Sequence, residues 1–286
     1  MITEKTINNA VDGNKTFKVM IESYNNTSEM LSDLKKRKIT DSLFDDKSKE
    51  SFGMWEGVKT YSECLDYLNN GYQPTVDALK DSIKPTICGQ GKRISFKNDI
   101  VGGNPIVPLA MMGIPNCMQN TVIKPIKAKV IDIYYDLTCA YSVSSKDIIE
   151  AGQKLIATIL KFEQQGYKFN LYAVQTYSSY NDTDILVVKI KSSNQPLDLK
   201  RMSYSLTHTS FFRVLGFDWY SRTPKGTYRS AYGMNISAIA DYNSDKLSAL
   251  TKKIFGNNSI FLSAMIMMKK FKKNKDDYIN TMINVK

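Results

Sequence analysis

Residues 128–140 read AKVIDIYYDLTCA, and this stretch decides the fold. Its first eight residues are rich in β-branched and aromatic side chains, so they predict a strand that ends at Asp136. Ser144 or Ser145 then caps a helix whose apolar residues recur at the 3.6-residue spacing, and a glycine ends this helix. Residues 168–174 (KFNLYAV) predict a second strand. A strand, a crossover helix and a strand place two parallel strands side by side with a right-handed connection.

A third strand is predicted at residues 185–190 (ILVVKI). The connection before it, residues 175–184, is too short for a crossover helix, so this strand should run antiparallel to the second. Asp198 caps a predicted helix over 199–215, a last strand is predicted at 260–267, and a last helix at 276–283. We therefore expect an α/β fold, with a Rossmann-type sheet that has one antiparallel edge strand.

Residues 1–124 predict a helical and irregular region that wraps an α/β domain formed by residues 125–286. The first 50 residues are polar and charged, which favours an arm or short helices. A helix follows Thr60 and closes at Gly71, and a second helix is expected over 75–83. Glycine and proline are dense between 89 and 115, which predicts a winding segment packed over the core.

The composition excludes several classes of protein. A hydrophobic content of 42% supports a buried core, and the four cysteines do not form a disulfide or zinc pattern. The single histidine, His208, excludes a zinc site with two imidazoles. We interpret it as a packed helix residue. No secretory signal follows Met1, and no apolar run reaches the ~20 residues of a membrane span, so we expect reduced thiols and no membrane partner.

The Asp136 strand end offers a candidate cation site. In an open α/β sheet, ligands bind at the carboxyl ends of parallel strands, where Asp136 and Thr138 supply a carboxylate and a hydroxyl. Oxygen ligands of this kind suit Mg²⁺. The structural alternative is that Asp136 only caps the loop before the following helix.

Residues 125–286 resemble a von Willebrand factor A-type domain, on the strand, DLTCA at 136–140, crossover helix, strand and antiparallel third strand. The resemblance implies that Asp136 and Thr138 hold a divalent ion, Mg or Mn, which bridges to a carboxylate of a partner. Ala140 stands where the family has a serine, and Ser142 or Ser144 would supply that oxygen instead. Asp241 is the candidate for the family's late-loop carboxylate.

The whole chain is also similar to an uncharacterised family found largely in phages and prophages. The residues that carry this similarity are Trp55-Glu56-Gly57, the segment 113–118 (GIPNCM) and the segment 206–217 (LTHTSFFRVLGF). The similarity implies a phage-type source and a place in the host cytoplasm or the virion. It implies no activity.

The formal charge of +11, from 39 basic and 28 acidic residues, favours acidic partners. A lysine-rich loop could contact nucleic-acid phosphates through Lys269, Lys270, Lys272, Lys273 and Lys275. The glycines in GQGKR at 89–93 lie near a lysine, as in a phosphate loop, but the spacing and a preceding strand are missing, so a turn is favoured.

The aromatic residues after the second strand suggest an exposed surface at the carboxyl edge of the sheet. These residues are Tyr177, Tyr180, Trp219, Tyr220, Tyr228 and Tyr232. For Arg213, a local pair with Asp218 is favoured over binding to an acidic partner. Cys139 is expected to be a small buried hydrophobe.

These features favour a non-enzymatic role over catalysis. We expect a phage-type accessory or virion-associated protein that binds a macromolecular partner, a protein of the phage or host, through loops at the carboxyl edge of its sheet. The alternative is a nucleic-acid-binding protein that uses the lysine-rich loop.

Overall fold

The computed structural model describes residues 1–8, 16–39, 51–53, 55–80, 92–125, 129–178, 182–223 and 235–284. The predicted turn at 89–91, the end of the helix predicted at 75–83, and Tyr180, Tyr228 and Tyr232 lie outside these ranges.

A six-stranded sheet is built around β6 (Val130–Asp136). β7 (Lys168–Ser178) lies on one side of β6 and β9 (Ser259–Ser263) on the other, and both run parallel to it. The chain passes from β6 to β7 through α5 (Ser145–Gln164), which begins at the Ser144 cap. The predicted strand, crossover helix and strand are therefore confirmed.

β8 (Asp182–Lys191) runs antiparallel to β7, as predicted. It is not an edge strand, because β2 (Thr16–Tyr24) pairs with it in parallel and β1 (Ile2–Asn8) pairs with β2 in antiparallel. The order across the sheet is β1-β2-β8-β7-β6-β9. The α/β prediction is confirmed, but the prediction of an antiparallel edge strand is wrong.

The N-terminal hairpin corrects the prediction for the first part of residues 1–50, while α1 (Thr27–Leu34) is a short helix of the predicted kind. β2 buries Val19, Met20, Ile21 and Tyr24, which join the strand to the core. β1 exposes its first residues, including Glu4 and Lys5, so its sequence lacks the apolar signal of an inner strand. The boundary placed between residues 124 and 125 stays a prediction, although this hairpin belongs to the sheet that we expected from residues 125–286 alone.

Helices lie in the connections between the strands, above all in the long connection between β8 and β9, and they follow β9. They are α1 (Thr27–Leu34), α2 (Tyr61–Asn70), α3 (Gln73–Lys80), α4 (Val107–Met111), α5, α6 (Leu199–Ser205), a π-helical segment (Phe211–Gly216), α7 (Phe217–Ser221), α8 (Ile236–Ile239), α9 (Ser244–Phe255), α10 (Ala264–Lys270) and α11 (Lys275–Asn284). The predicted Thr60 cap and Gly71 end of α2 are confirmed.

Two predicted elements are shorter than expected. The helix predicted over 199–215 ends at Ser205, and the chain resumes after a turn as the π-helical segment. The strand predicted over 260–267 ends at Ser263, whose side chain accepts a hydrogen bond from the Ile266 N–H and so starts α10. Every residue from Phe261 to Met268 is buried, and a run that is apolar on all sides does not reveal where a strand gives way to a helix.

A separate three-stranded sheet contains β3 (Lys92–Asp99), β4 (Asn104–Pro105) and β5 (Met118–Pro125). Its strands pair only with one another in the described residues. Phe96, Val101 and Met111 are each more than half exposed, at 63%, 78% and 84%. The prediction that residues 89–115 pack over the core is therefore wrong for the described part of that segment.

Among the described residues, no helix combines the length and the apolar character that crossing a bilayer requires.

Candidate functional site

A cavity of about 440 Å³ opens at the carboxyl ends of β6 and β7. From β6 the chain first passes to β7 on one side, and it later returns to β9 on the other side of β6. The cavity therefore lies where the direction of strand order across the sheet reverses. Open α/β sheets bind ligands at this point. The lining side chains are Trp55, Thr138, Cys139, Ala140, Tyr141, Gln175, Tyr177, Phe212, Phe217, Asn235, Tyr242 and Met265.

Asp136 lies below the cavity, fully buried, and does not line it. Its Oδ1 accepts a hydrogen bond from the Thr138 N–H at 3.0 Å, and its Oδ2 accepts one from the Thr176 hydroxyl at 3.1 Å. The Thr138 hydroxyl in turn accepts a hydrogen bond from the Thr176 N–H at 2.9 Å. These bonds tie the end of β6 to β7.

Burial is the largest influence on Asp136. It raises the pKa of this carboxyl group to about 7, and the hydrogen bonds from Thr138 and Thr176 lower the pKa only in part. Near neutral pH, Asp136 therefore carries only part of a negative charge. This behaviour fits the structural alternative, in which the side chain holds the loop after β6.

The residues present do not fit the divalent-ion site that the sequence resemblance implied. Ser142 is exposed in the loop between β6 and α5. Asp241 is exposed and pairs with Lys246 at 2.9 Å. β9 places Ser263, not a carboxylate, opposite Asp136. No group of three or more His, Cys, Asp or Glu side chains that could hold a metal occurs in the described residues, so the Mg or Mn prediction stays a prediction without a matching set of ligands.

The aromatic wall of the cavity is a stack of three rings. Trp55 stacks on Tyr141, with centroids 5.5 Å apart, and on Phe217 at 5.6 Å. Tyr141 is 77% exposed, so one end of the stack faces solvent. Trp55 comes from the turn before α2, which Gly57 closes with a φ of 78°. A side chain at Gly57 would collide with Thr209, whose hydroxyl donates to the Glu56 carbonyl, so glycine is required for this turn to approach so closely.

Arg213 lies directly behind this wall, and its side chain is only 1% exposed. The guanidinium is 4.5 Å from the Trp55 ring centroid and donates to the carbonyls of Trp55, at 2.5 Å, and Val143, at 3.1 Å. Burial lowers the pKa of Arg213 to about 10, so the group stays charged at neutral pH. The favoured Arg213–Asp218 pair is wrong, because Asp218 binds Arg222 and Tyr61 instead.

The amide side chains of the cavity already have partners within the chain. Gln175 Nε2 donates to the Tyr177 hydroxyl at 2.5 Å and to the Phe212 carbonyl at 2.9 Å. Asn235 donates to the Thr138 carbonyl and accepts from the Ala238 N–H. These bonds shape the cavity and occupy the amide nitrogen of Gln175 and both ends of the Asn235 amide.

Tyr242 forms the rim on the side of β9 and α10. Asp241 and Tyr242 both adopt the left-handed region, with φ of 52° and 54°, which is uncommon for residues other than glycine. Such strain persists where surrounding structure maintains it, and it is frequent at functional sites. The turn presents the Tyr242 ring to the cavity, and Lys269 Nζ lies 3.4 Å from the centroid of that ring.

The predicted lysine loop thus begins at the rim of the cavity. Lys269, Lys270, Lys272 and Lys273 are exposed at the end of α10 and in the loop that follows. Lys275 is 1% exposed and pairs with Glu150 at 2.9 Å, so it cannot be the phosphate contact that we predicted.

The other candidate residues are structural. Desolvation lowers the pKa of His208 to about 4, and the ring packs against Tyr67, Tyr72 and Tyr204, so it is the packed residue we expected. Cys139 is buried, as predicted.

The prediction that these aromatic residues form an exposed surface is wrong for the residues that the structure describes. Tyr177, Trp219 and Tyr220 are all buried, and Tyr177 contributes to the cavity from within.

Sequence reasoning located the strand end below the cavity but missed most of its walls. Trp55, Phe217 and Tyr242 were not assigned to a site, because each comes from a segment remote from β6 in the chain. Trp55 and Phe217 do lie in two of the segments on which we based the predicted similarity to a phage or prophage family, and this was the available signal.

Comparisons with known proteins give a family and no activity. The comparison with curated proteins and the comparison with solved structures each returned no match. The phage or prophage source and the place in the host or virion stay predictions. One family model, described as "Domain of unknown function (DUF7192)", matches residues 3–281, and the chain therefore belongs to this family.

Proposed function

We propose that this chain is a non-enzymatic binding protein that holds a partner protein at the carboxyl edge of its main sheet. The cavity there receives an aromatic or aliphatic side chain of the partner. The observation that carries this proposal is an open cavity of about 440 Å³, of which seven lining side chains are aromatic or methionine. Pockets of this size and apolar character are the usual sites for anchoring groups.

The chemistry of the lining supports binding over catalysis. Among the described residues that line the cavity, Cys139 is the strongest candidate nucleophile, and burial raises its pKa well above its usual value. Its thiol therefore stays protonated at neutral pH, and a protonated thiol is a poor nucleophile. The lining offers aromatic contact surface in place of an activated nucleophile.

We also propose that residues 130–263 have the arrangement of a von Willebrand factor A-type domain with the metal site lost. The order β8-β7-β6-β9, with β8 alone antiparallel among these four, supports this relationship. Partner binding by the carboxyl-edge loops is then retained without a bridging ion.

A blocking substitution at the cavity tests the proposal. Ala140 lines the cavity but is exposed, so Ala140→Trp fills the opening without disturbing the core. The probe is N-acetyl-phenylalaninamide, a neutral aromatic side chain with blocked ends, and its binding is measured by saturation-transfer NMR. We expect the signal with the native chain to fall at least about fivefold in Ala140→Trp, because the ring and the probe compete for one space.

The matched control is Ala78→Trp, at an exposed position on α3. This variant should bind the probe as the native chain does. Equal signals from all three proteins would show that the probe binds elsewhere and would overturn the proposal.

A further inference from the structure

We infer that the partner segment is acidic: it inserts an aromatic or aliphatic side chain into the cavity and places carboxylates against the cavity wall and rim. This inference rests on the proposed function and adds the charge and chemical class of the partner. It stands on the hydrogen-bond donors and cations around the cavity.

Two buried donors, one in the wall and one directly behind it, lack acceptors. Trp55 Nε1 and Arg213 Nε have no hydrogen-bond partner in the part of the chain that the structure describes. An unsatisfied buried donor is costly, and groups of this kind call for a specific explanation. Both atoms are covered, so a ligand's oxygen acceptors reach them only when the Trp55 side chain shifts, whereas the positive charge of Arg213 attracts a carboxylate at the wall without direct contact.

Arg213 also brings a buried positive charge without an ion-pair partner. Its two terminal nitrogens donate to backbone carbonyls, and no carboxylate in the described ranges forms an ion pair with it. Glu56 attracts it electrostatically, but the Glu56 carboxylate accepts a hydrogen bond from the Gly53 N–H at 2.9 Å. Charges inside proteins are normally paired, and electrostatic attraction is strong where water is excluded.

A second cation marks the opposite side of the opening. Lys269 lies over Tyr242, and the exposed Lys270, Lys272 and Lys273 continue from it. None of the described lining residues is an acid, and Asp136 below the floor carries only part of its charge. The opening therefore favours a negatively charged segment over a neutral or a basic one.

The hydrogen bonding of the Gln175 and Asn235 side chains favours a peptide ligand over a nucleobase. A base inserted into the cavity would bury polar edge atoms, and the Gln175 amide nitrogen and the Asn235 side chain already bond within the chain. A phenylalanine or leucine side chain has no such atoms to satisfy. Buried polar groups without partners weaken binding, so the cavity suits the side chain of a protein.

The test compares four blocked pentapeptides with one protein. Three have a central phenylalanine flanked by four glutamates, four glutamines or four lysines, and the fourth has alanine at the centre of the glutamate peptide. We expect the glutamate peptide to bind about tenfold more tightly than the glutamine peptide in low salt, and this advantage to shrink as salt is added. The lysine and alanine peptides should bind more weakly than either.

Substitution of a rim cation adds a local readout. Lys269→Gln should reduce the affinity for the glutamate peptide roughly two- to fivefold and leave the glutamine peptide unchanged, as expected for one exposed charge. The matched control is Lys161→Gln, an exposed lysine near the far end of α5, which should change neither affinity.

The outcomes separate the inference from the proposed function. Equal binding of the three phenylalanine peptides overturns the acidic partner and keeps the cavity as a binding site. Binding of none of them, including the neutral peptide, overturns both. A single-stranded thymidine oligonucleotide that displaces the glutamate peptide and binds more tightly would replace the protein partner with nucleic acid.

Discussion

At the scale of single residues, Asp136 shows how one pattern serves two different purposes. A carboxylate and a hydroxyl two residues apart at a strand end are suitable ligands for a hard cation. In this chain the same pair forms internal hydrogen bonds that join β6 to β7 through Thr176. The sequence shows the residue types and their spacing, but it does not show which neighbour each oxygen will bind.

The raised pKa of Asp136 predicts a specific pH dependence of stability. The pKa is about 7 in the folded chain against an ordinary value of 3.8, so the folded state holds a proton that the unfolded state releases between these values. Stability from this group is complete below the lower value and is lost as the pH rises through the higher one. The loss amounts to up to about 4 kcal/mol.

Thermal unfolding of the native chain and of Asp136→Asn between pH 5 and pH 8 measures this effect. The native chain should lose stability relative to the variant as the pH rises, because the amide does not ionise. Asp66→Asn, at an exposed site on α2, is the control and should follow the native curve. Parallel curves for the native chain and Asp136→Asn would contradict the assignment.

At the scale of elements, the helices and strands that bury one face could be predicted, because their apolar residues recur with the period of a helix or a strand. α5 buries Ile148, Leu155, Ile156 and Ile159 at the spacing of one helix face, and β6 alternates between buried and partly exposed residues. β1 could not be recognised in the same way, because its exposed, charged residues gain their order from pairing with β2. Strand propensity depends on such packing against neighbouring strands, so an exposed strand without an apolar face leaves little local signal.

The packing of α5 predicts the effect of adding one methyl group. Gly152 faces the turn after α6, and a Cβ there would overlap the Leu206 carbonyl oxygen and lie 2.8 Å from Thr207 Cα. Both obstacles are backbone atoms, which cannot rotate away. We expect Gly152→Ala to destabilise the fold by about 1–3 kcal/mol, measured by chemical denaturation.

Gly103→Ala provides the comparison. Nothing lies within 4 Å of a Cβ at Gly103, so this change should alter stability little. Similar behaviour of the two variants would mean that α5 does not approach the turn after α6 as closely as described.

At the scale of the whole molecule, the cavity is assembled from segments that are far apart in sequence. Arg213 binds the carbonyl of Trp55 across 158 residues, and Tyr242 and Met265 close the opposite side. The sheet places the end of β6 at the site, and this much followed from the sequence. The walls depend on how the long connection between β8 and β9 folds back, and no local pattern specifies that path.

The pairing within the small sheet predicts that residues 92–125 can be removed without unfolding the rest of the molecule. Its strands pair with one another, and several of its apolar side chains are exposed. Replacement of residues 92–125 by a short Gly/Ser linker should therefore leave the thermal unfolding of the remainder nearly unchanged. A large loss of stability in that variant would show that the small sheet supports the main one.

The central claim is that the cavity at the carboxyl edge is where a partner side chain binds. The most direct measurement is a titration of protein labelled with ¹³C at the methionine methyl groups, using the phenylalanine-centred glutamate peptide. Met265 lines the cavity, Met30 is buried elsewhere, and Met112 is exposed on the segment that contains α4. We predict a saturable shift of the Met265 methyl resonance with the Met30 and Met112 signals unchanged. A shift confined to Met112, or saturable binding that leaves Met265 unmoved, would contradict the account.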